Sequence, residues 1–208
     1  MRGVDMVDFQ LDEMQAMLKE LAHEFARDEL RPHAEHWDEA AHYPKETIQM
    51  AHEMGLLNLH IPERYGGAGL GSFEEVLVNE ELAWGDPGFA TAAYATALAS
   101  APIITGATED QKERWLRKIA EDGALASYAV TEPGAGSDVA ACKTTAIRDG
   151  DDYVINGRKW WTTGALDPRC EILILMGKTD PAAETHRPQS MVLVPIDTPG
   201  VTVQPVAY

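Results

Sequence analysis

The sequence contains few cysteines and few positive charges. Only Cys142 and Cys170 occur among 208 residues, so we expect two buried, reduced thiols rather than a disulfide framework or a multi-cysteine zinc site. Lys and Arg number 17 against 34 Asp and Glu, for a formal charge of −17. Such a chain lacks the positive surface that nucleic acid and anionic membranes require. A small anion can still bind through backbone N–H groups and a local arginine.

Long apolar runs are also missing from the sequence. No stretch approaches the roughly 18 apolar residues of a membrane span, and the first ten residues, MRGVDMVDFQ, lack the apolar core of a signal peptide. Apolar residues make up 45% and charged residues 25% of the chain, which is typical of an ordinary globular protein. These features predict a cytoplasmic protein with no membrane span.

Residues 1–124 are predicted to form an all-α helical domain. Apolar residues recur at spacings of three and four on one face of a first helix, namely Leu11, Met14, Leu18, Leu21 and Phe25. Pro44 is expected to open another helix. Capping boxes are predicted at Ser72 with Glu75 and over residues 108–111. The small apolar residues of 89–100 predict a helix that is buried on every side.

Residues 125–208 are predicted to form a second domain, made of β-strands. The period shortens after Gly123, and β-branched or aromatic segments alternate with turns. The candidate strands are LASYAVT, KTTAIR, YVING, KWWTTG, EILILMG, SMVLVPI and VTVQPV. No helical pattern separates them, so a parallel βαβ sheet is not expected. The predicted fold class is α+β, with an N-terminal helical domain followed by an antiparallel, β-barrel-like domain.

Several common signatures of function are missing. The stretch GGAGLG lacks the spacing of a nicotinamide-binding loop, because Ser72 stands where the last glycine belongs, and it follows no strand. There is no phosphate-binding P-loop and no HExxH zinc motif. The histidines of the helical half are interpreted as solvated or capping side chains; they are His23, His33, His36, His42, His52 and His60.

The segment YAVTEPGAGSD (128–138) places a glycine-rich loop at the end of a strand. Glycines let the backbone approach a ligand and direct successive N–H groups at it. Thr131 and Ser137 add hydroxyl groups, and Pro133 stiffens the entry to the loop. The pattern indicates either a cradle for an anion or a cofactor, or an ordinary connecting loop.

The segment KWWTTG (159–164) carries adjacent tryptophans. On a strand, neighbouring side chains point to opposite faces, so one indole would enter the core and the other would line a cleft. Thr163 would share a face with Trp161, and a hydroxyl beside an indole suits a planar heterocycle. The alternative is that both tryptophans belong to the core or to an interface.

Residues 128–165 resemble the signature stretch of the acyl-CoA dehydrogenase family. IPERYGGAGL (61–70) and TEDQKERWL (108–116) are similar to segments of that family's helical domain, and they occur in family order. The sequence departs from the usual Trp-Ile-Thr-Asn at Thr162 and Gly164.

The resemblance implies a bound FAD. By position, it places Tyr128, Val130 and Thr131 at the isoalloxazine edge. It places Gly136 and Ser137 near the cofactor and the CoA thioester, with Ser137 also touching substrate. It implies that Trp161 packs against the flavin ring and that Thr163 hydrogen-bonds near N5.

The family reaction is α,β-desaturation of an acyl-CoA thioester in fatty acid β-oxidation. A carboxylate removes the α-proton, and the β-hydrogen leaves as hydride to flavin N5. The resemblance places that base beyond residue 208, in a C-terminal helical domain, so the catalytic base is unknown here and a shortened chain is expected. Glu132 lies inside the motif but is interpreted as a structural acid. The implied partners are an acyl-CoA substrate, electron-transfer flavoprotein or a similar acceptor, and further copies of the full-length chain in a homo-oligomer.

Two alternatives stay open at this stage. One is a related flavoenzyme of the same fold, such as an acyl-CoA oxidase or a flavin monooxygenase, which rapid peroxide formation would reveal. The other is a catalytically silent binding or assembly module, which would be colourless and unable to retain added FAD.

Overall fold

The computed structural model describes residues 10–180, 183 and 189–205, in which a helical part precedes a β-sheet. The predicted order of a helical domain and then a β domain is confirmed. The helices are α1 (Glu13–Phe25, extended by a π-turn over Ala26–Leu30), α2 (Ala34–Glu39), α3 (Lys45–Glu53), α4 (Ser72–Gly85), α5 (Pro87–Gly106) and α6 (Glu109–Asp122).

Polar residues cap these helices much as their sequence predicts. At α6, the Gln111 amide donates to Thr108 Oγ1 at 3.3 Å, and the Thr108 amide donates to Gln111 Oε1 at 2.9 Å, which confirms that capping box. The box predicted at Ser72 is wrong by one residue. Gly71 is the N-cap of α4, and its amide donates to Glu74 Oε2 at 3.0 Å.

The apolar faces of α1 and α5 are less buried than predicted. Phe25 is buried, but Met14 and Leu21 of the same predicted stripe are exposed. The prediction that residues 89–100 are buried on every side is also wrong. Helix α5 packs against α4, α6 and the sheet, and this leaves Tyr94 and Leu98 exposed on its remaining face.

Helix α5 also has the length and apolar composition that could cross a membrane. Its 20 residues reach a mean hydropathy of 1.2, and 44% of the apolar window is buried. Core helices of folded domains pass the same test, so this is weak evidence for a span.

The sheet is mixed rather than wholly antiparallel. Its strands are β1 (Leu125–Ala129), β2 (Thr145–Asp149), β3 (Asp152–Asn156), β4 (Cys170–Lys178) and β5 (Gln189–Pro195). The order is β1-β4-β2-β3, with β5 also on β4. Strand β4 runs parallel to β1 and to β2, while β2–β3 and β4–β5 are antiparallel hairpins. Among the described residues these strands form an open sheet and not a closed barrel.

Two predicted strands are absent from the described residues. KWWTTG forms irregular chain and a turn, and the described part of VTVQPV, residues 201–205, pairs with no strand. The physical reason in the first segment is the left-handed backbone of Trp161 and Gly164, with φ of 58° and 83°, which no extended strand tolerates.

The helices and the sheet share one apolar core. Ile61, Ile103 and Leu116 from the helical part pack in the same buried cluster as Ile172 and Ile174 of β4. Helix α6 ends at Asp122, Gly123 follows with φ 67°, and β1 begins at Leu125. This short connection fixes β1 against α5 and thereby sets where the glycine-rich loop emerges.

Candidate cofactor site

The glycine-rich loop and the tryptophan segment meet at the carboxyl end of β1. The Trp160 amide donates to the Thr131 carbonyl at 2.8 Å, and Lys159 Nζ donates to the Val130 carbonyl at 2.9 Å. Residues 29 positions apart are therefore held side by side by one backbone–backbone and one side-chain–backbone hydrogen bond. Trp161 directly follows Trp160, and Ser137 lies six residues after Thr131 in the glycine-rich loop.

Glu132 is the central anchor of this junction. Its Oε1 accepts from Lys159 Nζ at 2.8 Å and from the Thr144 amide at 2.9 Å, and its Oε2 accepts from the Lys143 amide at 2.6 Å. Burial opposes ionisation, but Lys159 and the two amides outweigh it and lower the pKa of Glu132 to about 2. The carboxylate is ionised, and both of its oxygens accept hydrogen bonds from within the protein. This agrees with the interpretation of Glu132 as a structural acid.

The loop after Glu132 leaves open space beside two of its glycines. Glu132 and Ala135 exchange backbone hydrogen bonds of 3.0 and 3.1 Å across a tight turn. A Cβ added at Gly134 or Gly136 would meet no atom within 4 Å, and neither residue has a positive φ. The fold itself therefore does not require glycine at these positions. Their lack of side chains instead keeps the loop backbone accessible to a ligand.

The two tryptophans stack on each other, so the prediction that they face opposite sides is wrong. Their ring centroids lie 5.0 Å apart with planes 9° from parallel. Trp161 adopts φ 58°, and this reversal of the chain brings neighbouring side chains onto the same side. Its side chain is 51% exposed. A large aromatic side chain in a strained backbone and open to solvent is typical of a ligand contact.

The remaining residues predicted for the site differ in their exposure to solvent. Tyr128, Val130 and Thr131 are half-buried, whereas Gly136, Ser137 and Thr163 are exposed. Tyr128 donates its hydroxyl to Met191 Sδ at 3.6 Å, and burial raises its pKa. The proposed pairing of Thr163 with Trp161 on one strand face is wrong, because residues 157–163 form no strand.

Sequence reasoning missed the role of Lys159. Its side chain is 8% exposed and joins Glu132 to Val130. A lysine beside two tryptophans was a usable signal, because a cation in an apolar segment needs a buried partner. The departure from the usual motif at Gly164 is also explained, since φ is 83° and a Cβ would lie 3.2 Å from Ser127 Oγ.

A second polar cluster lies in the helical part. It shows that the prediction of solvated or capping histidines is wrong for His60. His60 Nδ1 lies 2.5 Å from Glu75 Oε1, and Nε2 lies 2.7 Å from Ser100 Oγ. The order Ser-His-Glu resembles a nucleophilic triad. Ser100 is fully buried, however, and its hydroxyl donates to the Ala97 carbonyl at 2.9 Å. The cluster therefore serves packing, and His60 is neither solvated nor a helix cap.

Comparison with known proteins gives the family. The model of the acyl-CoA dehydrogenase N-terminal domain matches residues 12–122, and that of the middle domain matches residues 127–207. The chain belongs to the acyl-CoA dehydrogenase family.

Relatives and solved structures agree with that assignment. A probable acyl-CoA dehydrogenase of Bacillus subtilis, YngJ, is 39% identical over 95% of this chain and 52% of its own length. A glutaryl-CoA dehydrogenase from Mycobacterium smegmatis in complex with FADH2 superimposes with a TM-score of 0.84 at 31% identity, over 95% of this chain and 49% of that one. The chain thus spans about half the length of these relatives.

A third neighbour comes from a structure of the electron transferring flavoprotein of Acidaminococcus fermentans. It superimposes with a TM-score of 0.86 at 33% identity and covers 93% of this chain and 50% of that chain. At these identities and scores, the fold of this acyl-CoA dehydrogenase family member is shared over nearly its whole described length.

Replacing Gly136 with alanine should weaken FAD binding and leave stability unchanged. The added methyl group would meet no protein atom within 4 Å, so the free energy of unfolding should stay within about 0.5 kcal/mol of the parent value. A cofactor seated against the loop would instead meet the methyl group. Urea unfolding and FAD titration measure the two effects. The matched control is Gly157→Ala, whose Cβ would collide with the Thr144 side chain, and it should lose stability.

Proposed function

We propose that this chain provides the FAD-facing wall of an acyl-CoA dehydrogenase. The observation that carries the proposal is the exposed, stacked indole of Trp161 held beside a loop with open glycines by the Thr131–Trp160 hydrogen bond. A flat aromatic plate next to accessible backbone and hydroxyl groups fits a planar heterocycle with polar edges.

The residues present fit a flavin in their chemistry. Trp161 packs against the ring system, and Thr131 and Thr163 supply hydroxyls to its polar edge. Tyr128 and Val130 line the same edge, and Gly136 and Ser137 lie along the cofactor and the thioester. The binding of FADH2 by the glutaryl-CoA dehydrogenase neighbour supports this assignment.

The proposed reaction is α,β-desaturation of an acyl-CoA thioester. FAD, when bound, supplies the acceptor for the β-hydride. Ser137 contacts substrate, and the exposed wall of Trp161 and Thr163 orients the ring plane. Glu132 does not take the α-proton, because Lys159 and two amides hydrogen-bond to both of its oxygens and its pKa of about 2 makes it a weak base. The base stays a prediction for residues beyond 208.

The proposed partners follow the family. The substrate is an acyl-CoA, and the structural neighbour from an electron transferring flavoprotein structure supports an electron-transfer flavoprotein as acceptor. A homo-oligomer of the longer protein and a cytoplasmic location stay predictions of the sequence.

An FAD titration tests the proposal. Adding FAD to the purified chain should give a saturable change in flavin absorbance and quench indole fluorescence, and Trp161→Ala should remove most of the quenching. Trp37→Phe, in the helical part, is the matched control and should leave flavin binding unchanged. A chain that stays colourless and does not bind FAD would contradict the proposal.

We propose that the base belongs to a longer form of the protein, and the activity is tested in that form. Anaerobic mixing with acyl-CoA should bleach the flavin, and the reduced enzyme should react slowly with oxygen. Rapid peroxide formation would instead identify an oxidase on the same fold.

A further inference from the structure

A cleft that contains two cationic side chains lies at the start of the glycine-rich loop. It has a volume of about 280 Å³ and is lined by Glu132, Pro133, Gly134, Lys143, Thr144, Gly157 and Arg158. None of these residues is among the seven assigned to the flavin. The flavin proposal therefore gives this cleft no ligand.

Two cations that line this cleft, Lys143 and Arg158, make no ion pair among the described residues, although the chain has an excess of acids. Arg148 lies 4.0 Å from Asp151, and Lys159 lies 2.8 Å from Glu132. Within residues 10–180, 183 and 189–205, by contrast, the side chains of Lys143 and Arg158 make no ion pair and no hydrogen bond. Acids outnumber bases 34 to 17 in the sequence, so two cations without an acidic partner on one cleft run against the overall balance of charge.

Glu132 does not cancel this charge. Its carboxylate is neutralised by Lys159 at 2.8 Å, and both of its oxygens accept hydrogen bonds from within the protein. Counting Glu132 against Lys143, Arg158 and Lys159 leaves two positive charges at the cleft. A local excess of this kind attracts a doubly charged anion.

Two glycines, Gly134 and Gly157, line the cleft and expose backbone atoms to a small ligand. Gly134 has open space where its Cβ would lie, whereas a Cβ at Gly157 would collide with the side chain of Thr144. The Thr144 hydroxyl is buried under Gly157 next to the Glu132 carboxylate. It adds to the lowering of the Glu132 pKa, although no described atom meets hydrogen-bond geometry with it. Residue 157 is therefore confined to glycine, and the floor carries no side chain there.

We propose that this cleft binds the phosphoryl group of a small ligand through Lys143 and Arg158. A phosphate monoester carries about 1.5 to 2 negative charges at neutral pH, and a diphosphate carries more, so either would be attracted by the two unpaired cations. Arginine binds such oxygens in pairs through its planar fork, and lysine binds them as a point charge. The source is either a free inorganic anion or the phosphate of a nucleotide.

Calorimetric titration of the purified chain with pyrophosphate and with ADP tests this site. We expect saturable binding, weakened about tenfold by Lys143→Gln or by Arg158→Gln, because each variant removes a charge-assisted hydrogen bond. Raising the salt concentration should weaken binding further. Both side chains are exposed, so folding should be unaffected, and circular dichroism checks this. Arg148→Gln, on β2, is the matched control and should bind as the parent chain does.

The outcomes separate the two sources and can overturn the site. Tighter binding of ADP than of pyrophosphate assigns a nucleotide, and equal affinity assigns the free anion. No saturable binding by the parent chain, or unchanged binding by the Lys143→Gln/Arg158→Gln double variant, would show that the site does not exist. FAD affinity is measured in the same double variant. We expect it to be unchanged, so failure here is distinguishable from failure of the flavin proposal.

Discussion

Trp161→Gly should bind FAD at least about tenfold more weakly than the parent chain and yet be more stable than Trp161→Ala. Both variants remove the exposed indole, and stacking of an aromatic side chain on a planar heterocycle contributes about 1–3 kcal/mol. The two differ in the backbone. Residue 161 has φ 58°, where a side chain with a Cβ costs about 1 kcal/mol and glycine does not.

The order of stability of these two variants is therefore reversed from that in an ordinary strand or helix. Urea unfolding should place Trp161→Gly about 1 kcal/mol above Trp161→Ala, and near-ultraviolet circular dichroism should show the loss of the Trp160–Trp161 stack in both. Trp160→Phe is the matched control, because it keeps both the strained residue and the Trp161 ring that is proposed to face the flavin. Equal FAD affinity in the parent and the two Trp161 variants would mean that this indole does not contact the cofactor.

The sequence predicted those parts of the fold that depend on local patterns. The capping box at Thr108 and Gln111 and the change of period after Gly123 are both local signals, and both lead to the observed elements. The pairing of strands is not local. Strand β1 pairs in parallel with β4, some 45 residues later, and the choice of partner depends on the shared core rather than on either strand alone.

In the candidate site, too, the local segments were predicted from the sequence and the contacts between them were not. The loop after β1 and the tryptophan segment were identified from composition and resemblance, but their contact depends on Lys159 and Glu132, which are 27 residues apart. The interpretation of KWWTTG as a strand failed because tertiary hydrogen bonds of Lys159 and Trp160 hold the segment, and Trp161 adopts a backbone conformation that β-propensity opposes. Conflicts of this kind concentrate at functional sites.

Glu132→Gln should destabilise the protein by about 3 kcal/mol at neutral pH. The substitution keeps the shape of the side chain but leaves Lys159, which is 8% exposed, as a buried charge without its partner, and breaking a buried pair from one side costs about 3–5 kcal/mol. Chemical denaturation measures the difference. The matched control is Glu113→Gln, which removes an exposed ion pair with Arg117 and should change stability by less than about 0.5 kcal/mol.

The effect of Glu132 should also depend on pH in a defined direction. The pKa of its carboxyl falls from an ordinary value of 4.5 to about 2 on folding, so the unfolded chain binds the proton more readily than the folded one. The stabilisation is complete above about pH 4.5 and is lost progressively as the pH falls toward 2. The stability gap between parent and Glu132→Gln should therefore narrow over that range. Adding Lys159→Met to Glu132→Gln should recover part of the lost stability at neutral pH, because the double variant then has no buried charge without a partner. A difference in stability that persists unchanged to pH 2 would show that the ion pair does not anchor the junction between the two segments of the proposed flavin wall.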